Sequence, residues 1–413
     1  MCNFLTGNCC DKSGIILSQC QFYQIRGEII ETQCTALIDV LKQIPDCRSK
    51  HGQRHPLSAI LALAIVAMMC GYRSYSAIAE WGRNYGQKLT RTLGFTRDKT
   101  PCAATFYNVF SKLDLFHLET HLAQWVETVL ATTAVADDDD TTEAIAIDGK
   151  TLRGSLGQKA SICHLLSAVS HRLGLTLFQK AVDRKTNEIT VITDVLESIV
   201  LEGRVITVDA LLTQPKIANT ILRCGGEYIM PVKANQPNLL QEISLVFDNS
   251  QLLPDSIETY QTTDLCHGRI ETRRIATSAV LNEYSHWPSL AQVFKIEREV
   301  IFKRTGKTRQ QVVYGVTSLS AEKTPPNQLL EMVTQHWTIE NKSHWVRDVT
   351  YDEDRSQVRA KNIPQVMAAI RNTAIGLMRF SAFANMASAI RYFAANPAKA
   401  LTLIGIPLES ESR

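Results

Sequence analysis

The chain has no C-x-x-C pair and no apolar run long enough to cross a bilayer, and these absences exclude several classes of protein. Its 11 cysteines are an odd number, which favours neither a disulfide framework nor a zinc ribbon. The most apolar stretch, residues 57–71, is shorter than the roughly 20 residues that a transmembrane helix needs. We therefore expect a cytoplasmic protein with no membrane partner, in which this stretch forms a buried helix.

The chain also has little net charge. Lys and Arg exceed Asp and Glu by only three, so any affinity for nucleic acid has to come from local basic clusters. An apolar fraction of 45% indicates a globular protein, and 413 residues are too many for one ordinary core. The length suggests two or three domains.

A run of four aspartates separates two parts of the chain that differ in periodicity. The run lies in residues 131–142, which we expect to form an acidic, solvated linker. Upstream, residues 36–130 carry apolar side chains at i, i+3 and i+4 and predict an all-α module. Residues 1–35 have no strong period and are expected to be an N-terminal extension without a fixed fold.

Downstream of the linker, the periodicity changes to that of strands. Residues 143–233 predict the order β, β, β, α, β, α, β, with the second and third strands forming a hairpin. Strands separated by helices normally run parallel, so this order predicts an α/β fold with a mixed sheet. Residues 235–320 alternate mostly with period two and predict a β-rich insertion. A long helix is then expected to begin with Thr324 as its N-cap and Pro325 as its first residue.

Two of the predicted buried strands run directly into an aspartate. These residues are Asp148 in AIAIDGK and Asp209 in VITVDA. If the two strands are neighbours, the carboxylates repel each other unless they are protonated or bridged by a cation. Oxygen-only ligation favours Mg²⁺ or Mn²⁺. The alternative is that each aspartate only caps the turn or helix that follows it.

The predicted helix supplies a third carboxylate. Helical spacing places His336, Glu340, His344 and Arg347 on one face, with Glu340 at the centre of this polar stripe. Such a stripe is also typical of a solvated helix face. Large apolar residues, including two tryptophans, crowd the same segment and favour a packed helix.

Four further acids follow close behind Glu340. The stretch TYDEDRS has no helical apolar period, and its adjacent acids would repel each other if they were packed. We therefore expect a solvated turn there and assign the third ligand to Glu340. The acids not chosen are Asp348, Asp352, Glu353 and Asp354.

Two other motifs contain residue types that are typical of functional sites. HLETH, residues 117–121, lacks the spacing of a zinc-protease helix, because Glu119 points away from the two histidines, so we expect no zinc site. HGRIETRR, residues 267–274, concentrates arginines on an alternating strand and predicts a DNA-contacting ribbon. The arginines are Arg269, Arg273 and Arg274.

Four separated motifs together resemble a known family. AIDGKTLRGS, VDALLTQ, HGRIETR and HWTIENKSHWVRDVTYDED occur in the order found in DDE transposases of ISAs-type insertion sequences, also called H-repeat-associated proteins. The resemblance covers residues 36–385 and includes the helical module. It implies a ribonuclease-H-like catalytic domain over residues 143–385 with the β-rich insertion inside it. Residues 386–413 are then a C-terminal tail, and residues 36–130 a DNA-binding module.

The resemblance also implies the cofactor and the roles of the acids. Asp148, Asp209 and Glu340 would be catalytic and would hold two Mg²⁺ or Mn²⁺ ions, with Asp148 bridging both. Two such ions stabilise the attacking and the leaving oxygen of an in-line displacement at phosphorus. The residues expected to contact DNA phosphates nearby are Lys150, Arg153, Lys233, His336 and Arg347.

The sequence departs from the wider group at two positions. That group often carries a tyrosine, an arginine and a lysine at i−7, i−4 and i+7 from the helix glutamate, where this chain has Val333, His336 and Arg347. Only Arg347 keeps the charge. His336 could bind phosphate only when it is protonated, and Val333 cannot bind it.

The function implied is that of an insertion-sequence transposase. Such a protein cuts DNA at the terminal inverted repeats of its element and joins the 3′-hydroxyl to target DNA, as a homodimer or higher synaptic complex in the bacterial cytoplasm at the nucleoid. One alternative is a catalytically idle descendant that only binds DNA. Another is a ribonuclease-H-like nuclease without strand transfer.

Overall fold

The computed structural model describes most of the chain. The described residues are 21–25, 28–32, 35–134, 142–153, 163–182, 188–249, 251, 254–266, 268–339, 343–381, 383 and 385–406. The central part of the expected acidic linker and Glu340 lie outside them. None of the helices in these ranges is both long and apolar enough to span a membrane.

The N-terminal part is helical, as predicted, but two of its boundaries differ from expectation. Strands β1 (Gln21–Ile25) and β2 (Glu28–Thr32) pair antiparallel, so part of the extension expected to lack a fold forms a hairpin. The last helix runs four residues into the expected linker, since it ends at Ala134. The helices are α1 (Leu37–Gln43), α2 (Leu57–Met69), α3 (Tyr75–Asn84), α4 (Gly86–Thr92), α5 (Ala103–Phe110) and α6 (Leu115–Ala134).

Helix α2 is apolar on every side and is buried, as its sequence predicts. It packs against α11 (Ile363–Phe380) from the far end of the chain. The hydroxyl of Tyr351 donates a hydrogen bond to the carbonyl of Met68 over 3.1 Å. The helical module and the sheet domain therefore share one continuous core.

The predicted order β, β, β, α, β, α, β is confirmed. Strands β3, β6 and β7 run parallel. On the other side of β3, β4 pairs antiparallel with β3, and β5 pairs antiparallel with β4. This mixed α/β arrangement confirms the expected ribonuclease-H-like class. The elements are β3 (Ala144–Leu152), β4 (Cys163–Ser170), β5 (Thr176–Val182), α7 (Glu188–Glu197), β6 (Val205–Val208), α8 (Pro215–Arg223) and β7 (Glu227–Val232).

The predicted insertion begins with a helix and then extends the same sheet. After α9 (Pro237–Asp248), four antiparallel strands follow, and β11 pairs with β7. We call these four strands the arm. They are β8 (Ile257–Cys266), β9 (Arg269–Ser278), β10 (Gln292–Phe302) and β11 (Thr308–Thr317). The nine-stranded order is β5-β4-β3-β6-β7-β11-β10-β9-β8.

Helix α10 (Pro326–Ile339) begins one residue later than predicted and lies across the face of the sheet. Val333, at the position where the wider group often has tyrosine, is 6% exposed and packs in this interface with Leu329, Val205 and Phe294. After α10, a short π-helix (Val346–Thr350) leads toward α11. Val333 is thus a core residue with no phosphate-binding role.

The expected C-terminal tail contains two packed helices. They are α12 (Met386–Ala395) and α13 (Pro397–Leu403). The backbone N–H of Ile38 donates to the carbonyl of Ile404 over 2.9 Å, and the Cys70 thiol donates to the carbonyl of Phe393. This end of the chain is therefore folded against the N-terminal helical module.

Candidate active site

The sheet brings Asp148 and Asp209 together. Strands β3 and β6 are parallel with Ile147 opposite Val208, so the next residue of each chain segment is an aspartate. Ala144 of β3 and Val205 of β6 pack under α10, and each aspartate comes four residues after one of them. Because side chains alternate along a strand, both aspartates lie on the face that this helix covers. The expectation that the two strands are neighbours is confirmed.

The two carboxylates have different hydrogen-bond partners. Asp148 Oδ1 accepts a hydrogen bond from the N–H of Gly149 over 2.7 Å, and its Oδ2 lies 3.4 Å from Nδ1 of His344. Asp209 Oδ1 accepts a hydrogen bond from the N–H of Leu212 over 3.1 Å. Asp209 therefore does cap the turn that follows it, which is the role considered above as an alternative, and it does so through Oδ1.

The donor set fits a divalent cation in part. Asp148 and Asp209 each follow a paired residue of neighbouring strands, and both carry carboxylate oxygens, the ligand type that Mg²⁺ and Mn²⁺ prefer. Among the described residues, no three His, Cys, Asp or Glu side chains lie close enough to hold one ion together. The third ligand expected from the sequence, Glu340, lies outside those residues. The described part of the site therefore supplies two of the three expected ligands.

The histidines beside the aspartates are uncharged near neutral pH. Burial, together with the nearby Arg347 and Lys150, lowers the pKa of His344 to about 3. Burial lowers the pKa of His336 to about 4, and its Nδ1 shares a hydrogen bond of 2.8 Å with the hydroxyl of Thr207. His336 is therefore a neutral internal partner of β6, and its position does not support the expected phosphate contact.

The basic residues after Asp148 and β7 differ in accessibility. Lys150 is 6% exposed, and its Nζ donates to both carboxylate oxygens of Asp348 at 2.6 Å. Arg153 has a side chain that is 76% exposed, 3.9 Å from Asp354. Lys233 is exposed directly after β7, at the edge where Asp209 lies. The geometry supports phosphate contacts for Arg153 and Lys233, whereas Lys150 is held in an internal ion pair.

The expected solvated turn after Glu340 contains a buried ionic cluster instead. Glu353 is 3% exposed and accepts hydrogen bonds from Arg347 Nε over 2.7 Å and from Arg371. Burial opposes ionisation, but the two guanidinium groups hold the pKa of Glu353 well below its ordinary value. The prediction of a solvated position is wrong for Glu353. Arg347, 1% exposed, is committed to this cluster, which does not support a phosphate contact for it.

The three arginines expected to form a DNA-contacting ribbon lie on opposite faces of β9. Arg269 and Arg273 both face the buried carboxylate of Glu271. Arg274 faces the other way, and its Nη2 donates to Gln261 Oε1 over 2.9 Å. Adjacent residues of a strand alternate between faces, so a single ribbon surface cannot contain all three.

Sequence reasoning missed the partners that fix these groups. Arg371 offered a signal, because a lone arginine in the apolar stretch VMAAIRNTAIGLM needs a buried acid. The pairing of Lys150 with Asp348 spans 198 positions and left no local pattern. The same holds for His344 beside Asp148.

Known proteins resemble this chain in sequence and, more distantly, in structure. A family model described as "Transposase DDE domain" matches residues 139–377, and one described as "DDE_Tnp_1-associated" matches residues 38–126. A cryo-EM structure of a piggyBac transposase synaptic complex with hairpin DNA is similar with a TM-score of 0.37 at 10% identity, covering 91% of this chain and 80% of that one.

Curated bacterial proteins are similar over most of their length. The H repeat-associated putative transposase YhhI of Escherichia coli K12 is 30% identical over 352 residues, which are 83% of this chain and 90% of YhhI. The putative transposase YncI of Escherichia coli O157:H7 is 29% identical over 353 residues, 83% of this chain and 87% of YncI. With adjacent aspartates on the parallel strands of a ribonuclease-H-like sheet, the chain belongs to the DDE transposase family, alongside the H repeat-associated putative transposases.

Proposed function

We propose that this transposase cleaves DNA at the ends of its own insertion element and joins the freed 3′-hydroxyl to target DNA. The observation that carries the proposal is the register of β3 and β6, which makes Asp148 and Asp209 neighbours. DDE transposases as a family use divalent metal ions, and transposases act on DNA. Asp148 and Asp209, with Glu340 as third ligand, are the residues that we propose to hold two Mg²⁺ or Mn²⁺ ions.

The reaction consists of two in-line displacements at phosphorus. Water attacks the scissile phosphodiester, the P–O3′ bond breaks, and the products are a 3′-hydroxyl and a 5′-phosphate. The 3′-hydroxyl then attacks a phosphodiester of the target, and the target's own 3′-oxygen leaves. When bound, the two ions supply charge stabilisation to the attacking and leaving oxygens.

The chain's own residues position and neutralise the reacting groups. His344 contacts Asp148 through Nδ1 and limits the orientations of its carboxylate. Lys150 lies just after Asp148 on β3, and its ion pair with Asp348 connects this strand to the π-helix. Arg153 and Lys233 are exposed, and we propose that they neutralise phosphates near the scissile bond.

Recognition of the element ends is assigned to the helical module. Residues 36–130 precede the catalytic domain, and a helix of such a module can enter the major groove. We expect two or more copies to assemble on the paired ends, in the bacterial cytoplasm at the nucleoid. Because this module shares its core with the sheet domain, the test uses surface substitutions: changing its exposed Arg83, Arg97 and Lys99 together to Gln should weaken binding to element-end DNA more than binding to unrelated DNA at a fixed salt concentration.

A joining assay separates strand transfer from simple hydrolysis. The protein is incubated with Mg²⁺, a duplex that carries one terminal repeat, and a supercoiled target plasmid, and the products are sequenced. Covalent joining of the repeat's 3′ end to the plasmid, absent in EDTA, is the expected result. Cleavage without joining would support the nuclease alternative, and binding without cleavage would support the idle DNA-binding alternative.

A further inference from the structure

The arm projects from the same edge of the sheet that carries the aspartates. Tyr314 of β11 lies opposite Val232, the last residue of β7, so the part of β11 that precedes Tyr314 extends beyond the end of β7. At about 3.4 Å per residue, this extension is about 20 Å long. Because β7 is parallel to β6, the edge concerned is the one where Asp209 lies.

One face of the arm continues the face on which the catalytic acids lie. Near the base of the arm, Ile275 packs in the interface under α10, as Ala144 of β3 does. Side chains alternate along a strand, so Arg273, two residues closer to the tip than Ile275, lies on the same face. Arg298 of β10 is paired with Arg273 and lies on this face too. Asp148 shares the face of Ala144 for the same reason.

The distal part of this face is strongly cationic. Glu271 is only 2% exposed and accepts a hydrogen bond from Arg298 Nε over 2.7 Å and another from Arg273. The hydrogen bond from Arg298 lowers the pKa of Glu271 by more than burial raises it, so the pKa stays below its ordinary value. This distal part carries two carboxylates, of Glu271 and Asp264, against the guanidinium groups of Arg269, Arg273, Arg298 and Arg309.

The turn between β10 and β11 adds three exposed cations, at Lys303, Arg304 and Lys307. The backbone N–H of Lys303 donates to the carbonyl of Gly268 over 2.9 Å, which fastens this turn to the one between β8 and β9. The N–H of Phe302 donates to the carbonyl of Lys307 over 3.0 Å and closes the turn itself. The three cations are therefore held at a defined place at the tip of the arm.

We propose that this cationic face binds the phosphate backbone of duplex DNA lying along the active-site edge. Duplex DNA carries one negative charge per about 1.7 Å of its axis, so a face about 20 Å long meets many phosphates. The contacts are to phosphates and carry no sequence information, so the arm would bind flanking or target DNA whatever its sequence. The presence of DNA at this edge rests on the proposed function.

The test is a salt titration of DNA binding by the full chain with Lys303→Gln, Arg304→Gln and Lys307→Gln combined. The probe is a labelled duplex of about 30 base pairs with arbitrary sequence, in EDTA, followed by fluorescence anisotropy. We expect affinity to fall about tenfold or more near 0.1 M salt, and the slope of log K against log salt to become shallower by about 2.7, or 0.9 per lost contact.

A matched control removes the same charge elsewhere. Arg223, Lys323 and Lys42 are exposed. Arg223 ends α8 and Lys323 follows β11, both at the edge of the sheet opposite the one where Asp209 lies, and Lys42 lies on α1, which packs on α2 and α6. Their combined change to Gln should leave both affinity and slope near wild type. Melting temperatures of both triple variants should match the wild type, because all six side chains are exposed.

Two results overturn the arm proposal: wild-type binding by the tip variant, or an equal loss in the control. Mg²⁺-dependent cleavage by the wild type is measured separately. Cleavage together with normal binding by the tip variant overturns only the arm proposal. Arm-dependent binding by a wild type that never cleaves contradicts the proposed function and supports the arm proposal.

Discussion

Asp148 and Asp209 are neighbours because β3 and β6 run parallel with Ile147 opposite Val208. Each aspartate immediately follows one of these paired residues, and the two carboxylates lie on the face covered by α10. Two adjacent carboxylates repel each other unless a proton or a cation lies between them. This is the reason that we propose the pair as a site for a divalent ion.

Glu353 is predicted to be a residue on which stability depends. Glu353→Gln would leave Arg347 and Arg371 buried without their carboxylate, and removing one member of a buried ionic cluster typically costs about 3–5 kcal/mol. We expect a loss of that order in the free energy of unfolding, measured by urea denaturation.

Asp352→Asn is the matched control for Glu353→Gln. Asp352 lies one position earlier, has a side chain 39% exposed, and has a φ of 53°, which asparagine tolerates. Its stability should stay near wild type, and equal losses in the two variants would contradict the buried cluster. The ion pairs of Glu353 should also support stability fully at pH above 4.5, its ordinary pKa, and this support should be lost as the pH falls from 4.5 to its folded-state pKa of about 2.

Glu119 is predicted to make the protein less stable at alkaline pH. Burial raises its pKa to about 8 although Gln179 Nε2 donates a hydrogen bond to it over 2.7 Å. In the unfolded chain the carboxyl ionises near 4.5, so its contribution to stability is complete below that pH and is lost as the pH rises to about 8.

Glu119→Gln keeps an acceptor for Gln179 and removes the ionisation. We expect melting temperatures of the variant and the wild type to differ little at pH 5 and to separate at pH 8, where the variant is more stable. The gain at pH 8 should be on the order of 3 kcal/mol. A difference that does not change between the two pH values would show that Glu119 does not titrate in this range.

Lys150 and Arg153 are predicted to behave differently despite lying three positions apart. Lys150→Gln breaks a partly buried ion pair with Asp348, in which the lysine itself is buried, and should lower the melting temperature. Arg153→Gln changes an exposed side chain and should weaken DNA binding without affecting the melting temperature. Paired thermal melts and anisotropy titrations would detect the reverse pattern, which would contradict both assignments.

Glu340 stays the predicted third metal ligand. Glu340→Gln is nearly isosteric but uncharged, and we expect it to abolish Mg²⁺-dependent cleavage while leaving stability and DNA binding near wild type. Asp352→Asn should reduce cleavage only modestly. An active Glu340→Gln protein would assign the third ligand to another acid.

Local patterns in the sequence predicted the elements well but not their long-range partners. The change from helical to strand periodicity predicted the order from β3 to β7, and the apolar run predicted α2. The pairing of β11 with β7 could not be predicted, since strand periodicity does not specify which distant edge a strand joins. The sequence therefore predicts the β-rich insertion but not that its strands extend the sheet of the catalytic domain.

The site was predictable to the same extent. Apolar strands that end in Asp148 and Asp209 show a local signal, and their adjacency follows from parallel pairing. Glu353 was misassigned because a run of acids normally indicates solvent, and the two arginines that neutralise it are 6 and 18 positions away. Burial of charge depends on such partners, which only the fold brings together.

The most direct test of the account is Mg²⁺-dependent nicking of element-end DNA by Asp148→Asn and Asp209→Asn, with Asp352→Asn as the charge-matched control. Binding to the same DNA is measured in parallel by anisotropy. We predict that both site variants lose nicking to the assay background and still bind DNA, because the metal ions act on the transition state more than on ground-state affinity. Nicking near the wild-type rate by either site variant would contradict the assignment of the metal site to these two aspartates.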